Sequence, residues 1–326
     1  RYASSWGSFS EYGVVLDYAA AAADGLPENM IRGGMTQQKV DARISPEVAS
    51  LMITLKETYS ALVRVGASRA DTIVILGDGP VGLSMLYGCG VMGIQNVTII
   101  GNHRENLECA EKIGARQIVW AKDAAQLQQV QTGLGGQVSL FIDTVGTAQT
   151  IAQGRGLLCE DGLVAVYGLR TGNELTLPLA GSRNFGLRFV QWPVQRQEYL
   201  AHEPVTRAIL NGKPDPELLI SHRYPLSAFA EGFEQIRKRQ ARKSFCICMR
   251  SHKMIDFLKN RDALKDELDV YYSACPYDCS AEQAQLDRWY DAAASKTVYE
   301  RKALAYRGAA ELCPVQIFDH SPFYYE

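Results

Sequence analysis

The sequence predicts an α/β fold built around a doubly wound parallel sheet, and three observations carry that prediction. Short apolar runs alternate with helix-period segments between about residues 72 and 167, the pattern of βαβ units joined by right-handed crossovers. The first run, Thr72-Ile-Val-Ile-Leu76, is apolar without alternation, as a strand buried on both faces should be. A glycine-rich turn, Gly77-Asp-Gly79-Pro-Val-Gly82, follows it directly and opens a helix.

The remaining elements fall into order around that core. Residues 1–45 are mixed, and Gly7-Ser-Phe-Ser-Glu-Tyr-Gly-Val-Val-Leu16 reads as a turn into a short strand. Ser45 is placed to cap a helix, Pro46 suits its first turn and Glu47 favours its positive end. Val48, Leu51, Met52, Leu55 and Tyr59 then keep helical spacing. Helices are predicted at Val81–Val91, Glu105–Ile113, Ala124–Gln131 and Ala148–Leu158, and strands at Val97–Ile100, Gln117–Trp120, Leu140–Asp143 and Leu163–Tyr167. Beyond about residue 180 the rhythm loosens. Arg188–Trp192 and Ser244–Met249 read as strands, Glu198–Asn211 and Ser227–Arg239 as helices. From Ser251 onward long polar helices rich in Lys, Asp, Tyr and Ala are expected, so the chain is divided near residue 250.

Composition narrows the function classes. A chain of 326 residues suggests about two domains. With 34 basic and 36 acidic residues the net charge is −2, which gives no long-range field for nucleic acid or an acidic membrane. Apolar residues make up 47% and charged residues 21%, the balance of a soluble globular enzyme. No apolar run approaches the roughly 18 residues of a membrane span, and no secretory signal opens the chain, so a cytoplasmic location is expected. The sequence starts Arg-Tyr-Ala-Ser-Ser without Met, and an earlier natural start is expected. The eight cysteines are scattered through the chain, as reduced thiols are. The pairs Cys246/Cys248 and Cys275/Cys279 have no second pair or His cluster beside them, so no metal site is assigned.

The chemistry concentrates in the glycine turn. In G-x-G-x-x-G, Gly77 permits the tight turn, Gly79 lets the backbone approach a pyrophosphate, and Gly82 lets helix and strand pack closely. The helix opened by Pro80 and Val81 offers free N–H groups and a positive dipole to the anion. A dinucleotide is therefore the expected ligand. The end of the second strand bears on which one. An NAD site usually offers Asp or Glu there to the ribose hydroxyls; here Gly101 takes that position, followed by Asn102, His103 and Arg104. A 2′-phosphate would be welcomed by Arg104 and His103, so NADP is expected, with NAD left open. An Asp introduced at Gly101 is expected to swing the preference to NAD. Two further strand ends on the same edge, Thr144-Val145-Gly146 and Tyr167-Gly168-Leu169, are candidates for the ribose and nicotinamide.

Together these pieces resemble the medium-chain dehydrogenase/reductase superfamily, the alcohol and polyol dehydrogenases, over about residues 7–249. The matching stretches are Gly7-Ser-Phe-Ser-Glu-Tyr12, the helix from Ser45 to Val65, Gly77-Asp-Gly-Pro-Val-Gly82 and Cys109-Ala-Glu-Lys-Ile-Gly-Ala115. They continue through Phe141-Ile-Asp-Thr-Val-Gly146, Leu163-Val-Ala-Val-Tyr-Gly168, Ile220-Ser-His-Arg-Tyr-Pro-Leu226, the helix at Ala228–Arg239 and the final strand. The resemblance implies a Rossmann sheet at 46–212, the last part of a GroES-like β domain at 1–45, a return to that domain at 213–250, and a helical C-terminal segment of unknown role at 251–326. It implies hydride transfer between a nicotinamide and the carbonyl or alcohol carbon of a small molecule, in a homo-oligomer that binds neither nucleic acid nor membrane.

Two departures from the family stand out. Most of the GroES-like domain, which supplies a zinc-binding Cys and a His-Glu pair, has no counterpart here. The family's zinc ligand on the helix before the sheet aligns near Ile53, which cannot bind metal. Either the zinc half lies outside this sequence or the chain is a zinc-independent quinone or enoyl reductase. A non-catalytic nucleotide-binding subunit, docking a partner through residues 251–326, is the third reading. No proton donor is assigned: Tyr59 and Lys56 lie near the family's cleft, with Tyr59 read as core packing and His202 and His222 as surface or packing residues.

Overall fold

The computed structural model describes residues 18–25, 37–170, 174–177, 181, 183–225, 228–238 and 244–247. The strand expected near Gly7–Leu16 and the C-terminal helices expected from Ser251 onward lie outside the described residues. The described residues belong to one unit, Asp17–Ile247.

The alanine run forms a short helix, α1 (Tyr18–Ala23). Ser45 caps the next helix as expected, its Oγ accepting from Val48 N at 3.2 Å. That helix stops after one turn, α2 (Pro46–Ala49), and resumes as α3 (Met52–Val65). The single helix expected from spacing is therefore divided. Ser50 Oγ donates to Glu47 O at 2.6 Å and Leu51 N to Val48 O at 2.9 Å, local i−3 bonds that compete with the regular helical ladder.

The sheet follows: β1 (Ile73–Leu76), α4 (Pro80–Met92), β2 (Val97–Gly101), α5 (Arg104–Ile113), β3 (Gln117–Trp120), α6 (Ala124–Leu134), β4 (Val138–Asp143), α7 (Ala148–Leu157), β5 (Leu158–Val166) and β6 (Phe185–Phe189). All neighbouring strands are parallel and the spatial order is β3-β2-β1-β4-β5-β6. The order reverses between β1 and β4, where open α/β sheets form their ligand crevice. α8 (Gln195–Asn211) then closes one face.

Alternate residues of the central strands feed two separate cores. Ile73, Ile75, Val97, Ile99, Leu140 and Ile142 pack with residues of α3, α4, α5 and α8. Val74, Leu76, Ile100, Phe141 and Val164 pack with Val130 of α6 and Ile151 of α7. Helices thus cover both faces, which is why β1 is apolar at every position rather than at every second one. Cys89 and Cys109 are buried, and Cys109 Sγ donates to Leu218 O at 3.1 Å; burial pushes the Cys89 thiol up to about 12, so Cys89 behaves as a small apolar side chain. A separate pair, β7 (His222–Pro225) and β8 (Ser244–Ile247), runs parallel with α9 (Phe229–Arg237) between them in sequence. No described helix is long and apolar enough to cross a membrane.

Candidate functional site

The parallel order brings all four predicted loops to one edge, at the carboxyl ends of β1, β2, β4 and β5. Within the glycine turn, the three glycines do different work. Gly77 has φ +114°, and a Cβ there would lie 2.1 Å from Thr144 Oγ1. A Cβ on Gly82 would lie 1.8 Å from the Gly77 carbonyl oxygen, so the first turn of α4 rests directly on the strand's exit. Gly79 is the N-cap of α4 in ordinary extended backbone, φ −76° and ψ −175°, and a Cβ there would meet nothing within 4 Å. The fold needs the first and last glycines; the middle one keeps space open in front of the helix N-terminus. Pro80 stands in the first turn of α4, where no N–H is missed.

At the end of β2 the structure corrects the expectation of an edge without a carboxylate. Asp78, a mere spacer in the motif, swings its side chain over Gly101. A Cβ at Gly101 would come within 2.3 Å of Asp78 Cβ and Cγ. An Asp at Gly101 would collide with Asp78 and not simply face a ribose, so that substitution is no clean test of cofactor choice. The Asp78 side chain is only 5% exposed. Its Oδ2 accepts from His103 N at 2.6 Å, and its Oδ1 lies 3.0 Å from His103 Nδ1. His103 is the N-cap of α5 but makes no side-chain cap; the carboxylate of the glycine turn satisfies that helix end instead. Arg104, the first residue of α5, lays its guanidinium over the Trp120 ring at 4.0 Å from the centroid, a cation–π contact.

The other two loops interlock backbone to backbone. A Cβ on Gly146 would lie 2.2 Å from Gly168 O, and one on Gly168 2.3 Å from Val145 C. Thr144 ties β4 to β1: its N and Oγ1 both donate to Leu76 O, at 3.0 and 2.8 Å. Asp143, read from sequence only as the strand end that opens this loop, organises the junction. It is wholly buried. Its Oδ1 accepts from Val145 N at 2.8 Å and Gly146 N at 3.0 Å, and its Oδ2 from Thr150 Oγ1 at 2.6 Å. Its carbonyl accepts from Tyr167 N and Gly168 N at 2.8 and 3.0 Å. Leu169 projects outward as an exposed apolar residue.

Tyr167 behaves differently from the other loop residues. Its hydroxyl donates to Glu57 Oε1 of α3 at 2.6 Å. Burial first, and then the Glu57 carboxylate, hold the phenol far above its ordinary range, so it is a fixed neutral donor. Around it, burial raises the Glu198 carboxyl and lowers the Lys56 ammonium, whose Nζ donates to Gln38 Oε1 at 2.7 Å. Tyr59 packs against the main core, as read from sequence. His222 bonds Ser221 and stacks on Tyr224.

Ile53, at the position where the family resemblance expects a zinc ligand, is 78% exposed. Among the described residues no group of three His, Cys, Asp or Glu side chains is arranged to hold a metal. Zinc therefore does not fit the residues described.

Comparison with known proteins agrees with the fold. The family described as zinc-binding dehydrogenase matches residues 80–192. L-threonine 3-dehydrogenase of Bacillus velezensis is 26% identical over 210 residues, 64% of this chain and 60% of that protein. Sorbitol dehydrogenase of Bos taurus is 25% identical over 221 residues, 64% of this chain and 59% of its own length. Among solved structures, alcohol dehydrogenase TADH from Thermus sp. ATN1 superposes with a TM-score of 0.57 at 24% identity, covering 65% of this chain and 61% of that one. The chain thus spans about three-fifths of the length of the relatives it matches.

Proposed function

We propose that this chain, a member of the medium-chain dehydrogenase/reductase superfamily, binds NADP(H) and is the nucleotide-holding part of an oxidoreductase acting on a small alcohol, polyol or sugar carbonyl. The observation that supports this reading is the convergence of four loops at the β1/β4 crevice, with open space in front of Gly79. The Gly77–Gly82 turn would hold the pyrophosphate against the N-terminus of α4. Asn102, His103 and Arg104 would face the phosphate on the adenosine ribose. The backbone of Thr144–Gly146 and Tyr167–Leu169, fixed by Asp143, would border the nicotinamide end. When bound, the cofactor supplies hydride exchange at the nicotinamide ring; the chain's own part is to orient it and keep its phosphates paired. The relatives' printed names, threonine and sorbitol dehydrogenase, support a hydroxyl-bearing substrate.

The preference for NADP(H) rests on charge. The Asp78 carboxylate at the β2 end is enclosed against His103, while His103 and Arg104 stand at the loop with Glu105 next on α5. A charge-assisted pair contributes about 1.5–3 kcal/mol, enough to reverse a tenfold preference. Calorimetry of both cofactors against the 326-residue chain is expected to give tighter NADP(H), with the gap narrowing as salt rises. Tighter NAD(H) overturns the cofactor assignment, and binding of neither overturns the nucleotide reading.

Ile53 favours a second reading, a zinc-independent reductase on the same scaffold. Its outward-facing sec-butyl side chain offers no lone pair to a metal, and zinc catalysis needs three protein ligands. After dialysis the chain is expected to retain less than one zinc per molecule by elemental analysis. One tightly held zinc would return the zinc-type reading to first place.

A further inference from the structure

Asp78 and His103 are bound more closely than a turn and a helix start require. Three groups lie on the Asp78 carboxylate or against it: His103 N at 2.6 Å from Oδ2, His103 Nδ1 at 3.0 Å from Oδ1 and 3.3 Å from Oδ2, and the Gly101 backbone beneath. With 5% of its side chain exposed, this carboxylate is engaged and enclosed, so it is badly placed to accept from ribose hydroxyls. His103 is the outward member, with 41% of its side chain exposed. The hydrogen bond at one imidazole nitrogen sets the role of the other. A carboxylate facing Nδ1 holds a proton there and fixes the ring plane, so Nε2 is the ring's outward polar atom.

We propose that Asp78 and His103 form a dyad that selects the 2′-phosphate of NADP(H), with His103 as the phosphate-contacting residue and Asp78 as its positioning residue. This rests on the nucleotide reading above. With phosphate bound, Nδ1–H would donate to Asp78 and Nε2–H outward to a phosphate oxygen, so the carboxylate behind the ring aims a donor at the ligand's anion. The glycine at 101 is part of the device, because any side chain there displaces Asp78. The residue that usually supplies the ribose-binding carboxylate has thus been exchanged for one behind it, which turns an acceptor surface into a donor surface. Arg104, held flat on Trp120, adds a second positive charge beside it, while Glu105 follows at the next position of α5.

The test uses NADP+, NAD+ and 2′-AMP as calorimetric probes of the full chain. His103→Ala is expected to weaken NADP+ and 2′-AMP about tenfold and NAD+ less than threefold. Asp78→Asn, which keeps an acceptor for His103 N, is expected to weaken NADP+ about fivefold, and to lose that effect in the His103→Ala background. The imidazole 15N signals of His103 should shift away from the Nδ1-protonated pattern in Asp78→Asn. Tighter NADP+ binding in Asp78→Asn overturns the proposal, because the carboxylate then repels phosphate instead of aiming a donor. An Asp78 effect that persists without His103, or equal losses for NAD+ and NADP+, overturns it as well. If wild type binds neither dinucleotide, the nucleotide reading has failed and the dyad with it. Should Asp78→Asn not fold, the half-exposed His103→Ala still decides: an unchanged ratio of NADP+ to NAD+ affinity sinks the dyad.

Discussion

Replacing Gly79 with Val is expected to abolish tight dinucleotide binding while leaving the fold in place. The two consequences separate because of where the missing Cβ would point. Gly79 already has β-region backbone, which Val adopts without strain, and no atom lies within 4 Å of the added Cβ. The cost to the protein is confined to a poorer helix N-cap, about 1 kcal/mol or less. The isopropyl group instead fills the space in front of the α4 N-terminus, where a pyrophosphate must approach the backbone. Affinity for NADP(H) is expected to fall at least about tenfold, roughly 1.4 kcal/mol, with a melting temperature within a few degrees of wild type. Fluorescence titration and a thermal melt on the same sample measure both. Unchanged affinity would place the dinucleotide somewhere other than this turn. The same substitution at Gly82 is expected to behave in the opposite manner, because its Cβ would lie 1.8 Å from a backbone oxygen and the protein itself would have to shift.

That contrast marks how far the sequence reaches. The glycine turn was legible because its three glycines sit between a strand apolar at every position and a helix, and each of these patterns is set by burial on the strand's two faces. Strands β1, β2 and β3 lie within a residue of where periodicity places them; for β1 and β2, neighbours on both sides enforce the pattern. β6 was read three residues late, as Arg188–Trp192 in place of Phe185–Phe189. It is an edge strand whose residues are half-buried or exposed, so its hydrophobicity carries less register information. β7 was not identified as a strand because His-Arg-Tyr-Pro has neither an apolar run nor a clean alternation.

The site was legible as a set of loops but not as a set of contacts. Asp78 occupies the variable position of the motif, and nothing in its neighbours announces that it turns toward a residue 25 positions later. The absence of a side chain at Gly101 was visible; its cause, the space that Asp78 takes, was not. A weak signal existed in hindsight: an acidic residue inside an anion-binding turn is electrostatically costly unless hydrogen-bond partners answer it, and His103 supplies them through its backbone N–H and its ring. Glu57 gave even less warning, because Tyr167 meets it across 110 residues.

Asp143 is the residue whose loss is expected to cost the fold most, and the prediction follows from counting what its carboxylate satisfies. Three donors converge on two oxygens in a wholly buried position: Val145 N, Gly146 N and Thr150 Oγ1. Asp143→Ala leaves two half-buried backbone N–H groups without their side-chain acceptor. An unsatisfied donor costs about 1–3 kcal/mol when buried, so for these two the loss is expected to be about 2–4 kcal/mol in total. For a unit of roughly this size that corresponds to a fall of about 5–15 °C in melting temperature. Asp143→Asn isolates the cause. Its amide oxygen still accepts from both backbone groups, and Thr150, which also reaches Thr147 O at 2.9 Å, can turn its hydroxyl to accept from the new NH2. The Asn variant is therefore expected to lose less than half as much stability as the Ala variant. Because Asp143 also orders the Val145–Gly146 turn against Gly168, Asp143→Ala should weaken NADP(H) and NAD(H) alike, unlike any change at the β2 end. Denaturant melts of the two variants, with calorimetry of both cofactors, supply the test; an Asn variant as unstable as the Ala variant would mean that the negative charge, and not the pair of accepted backbone bonds, holds this corner of the sheet together.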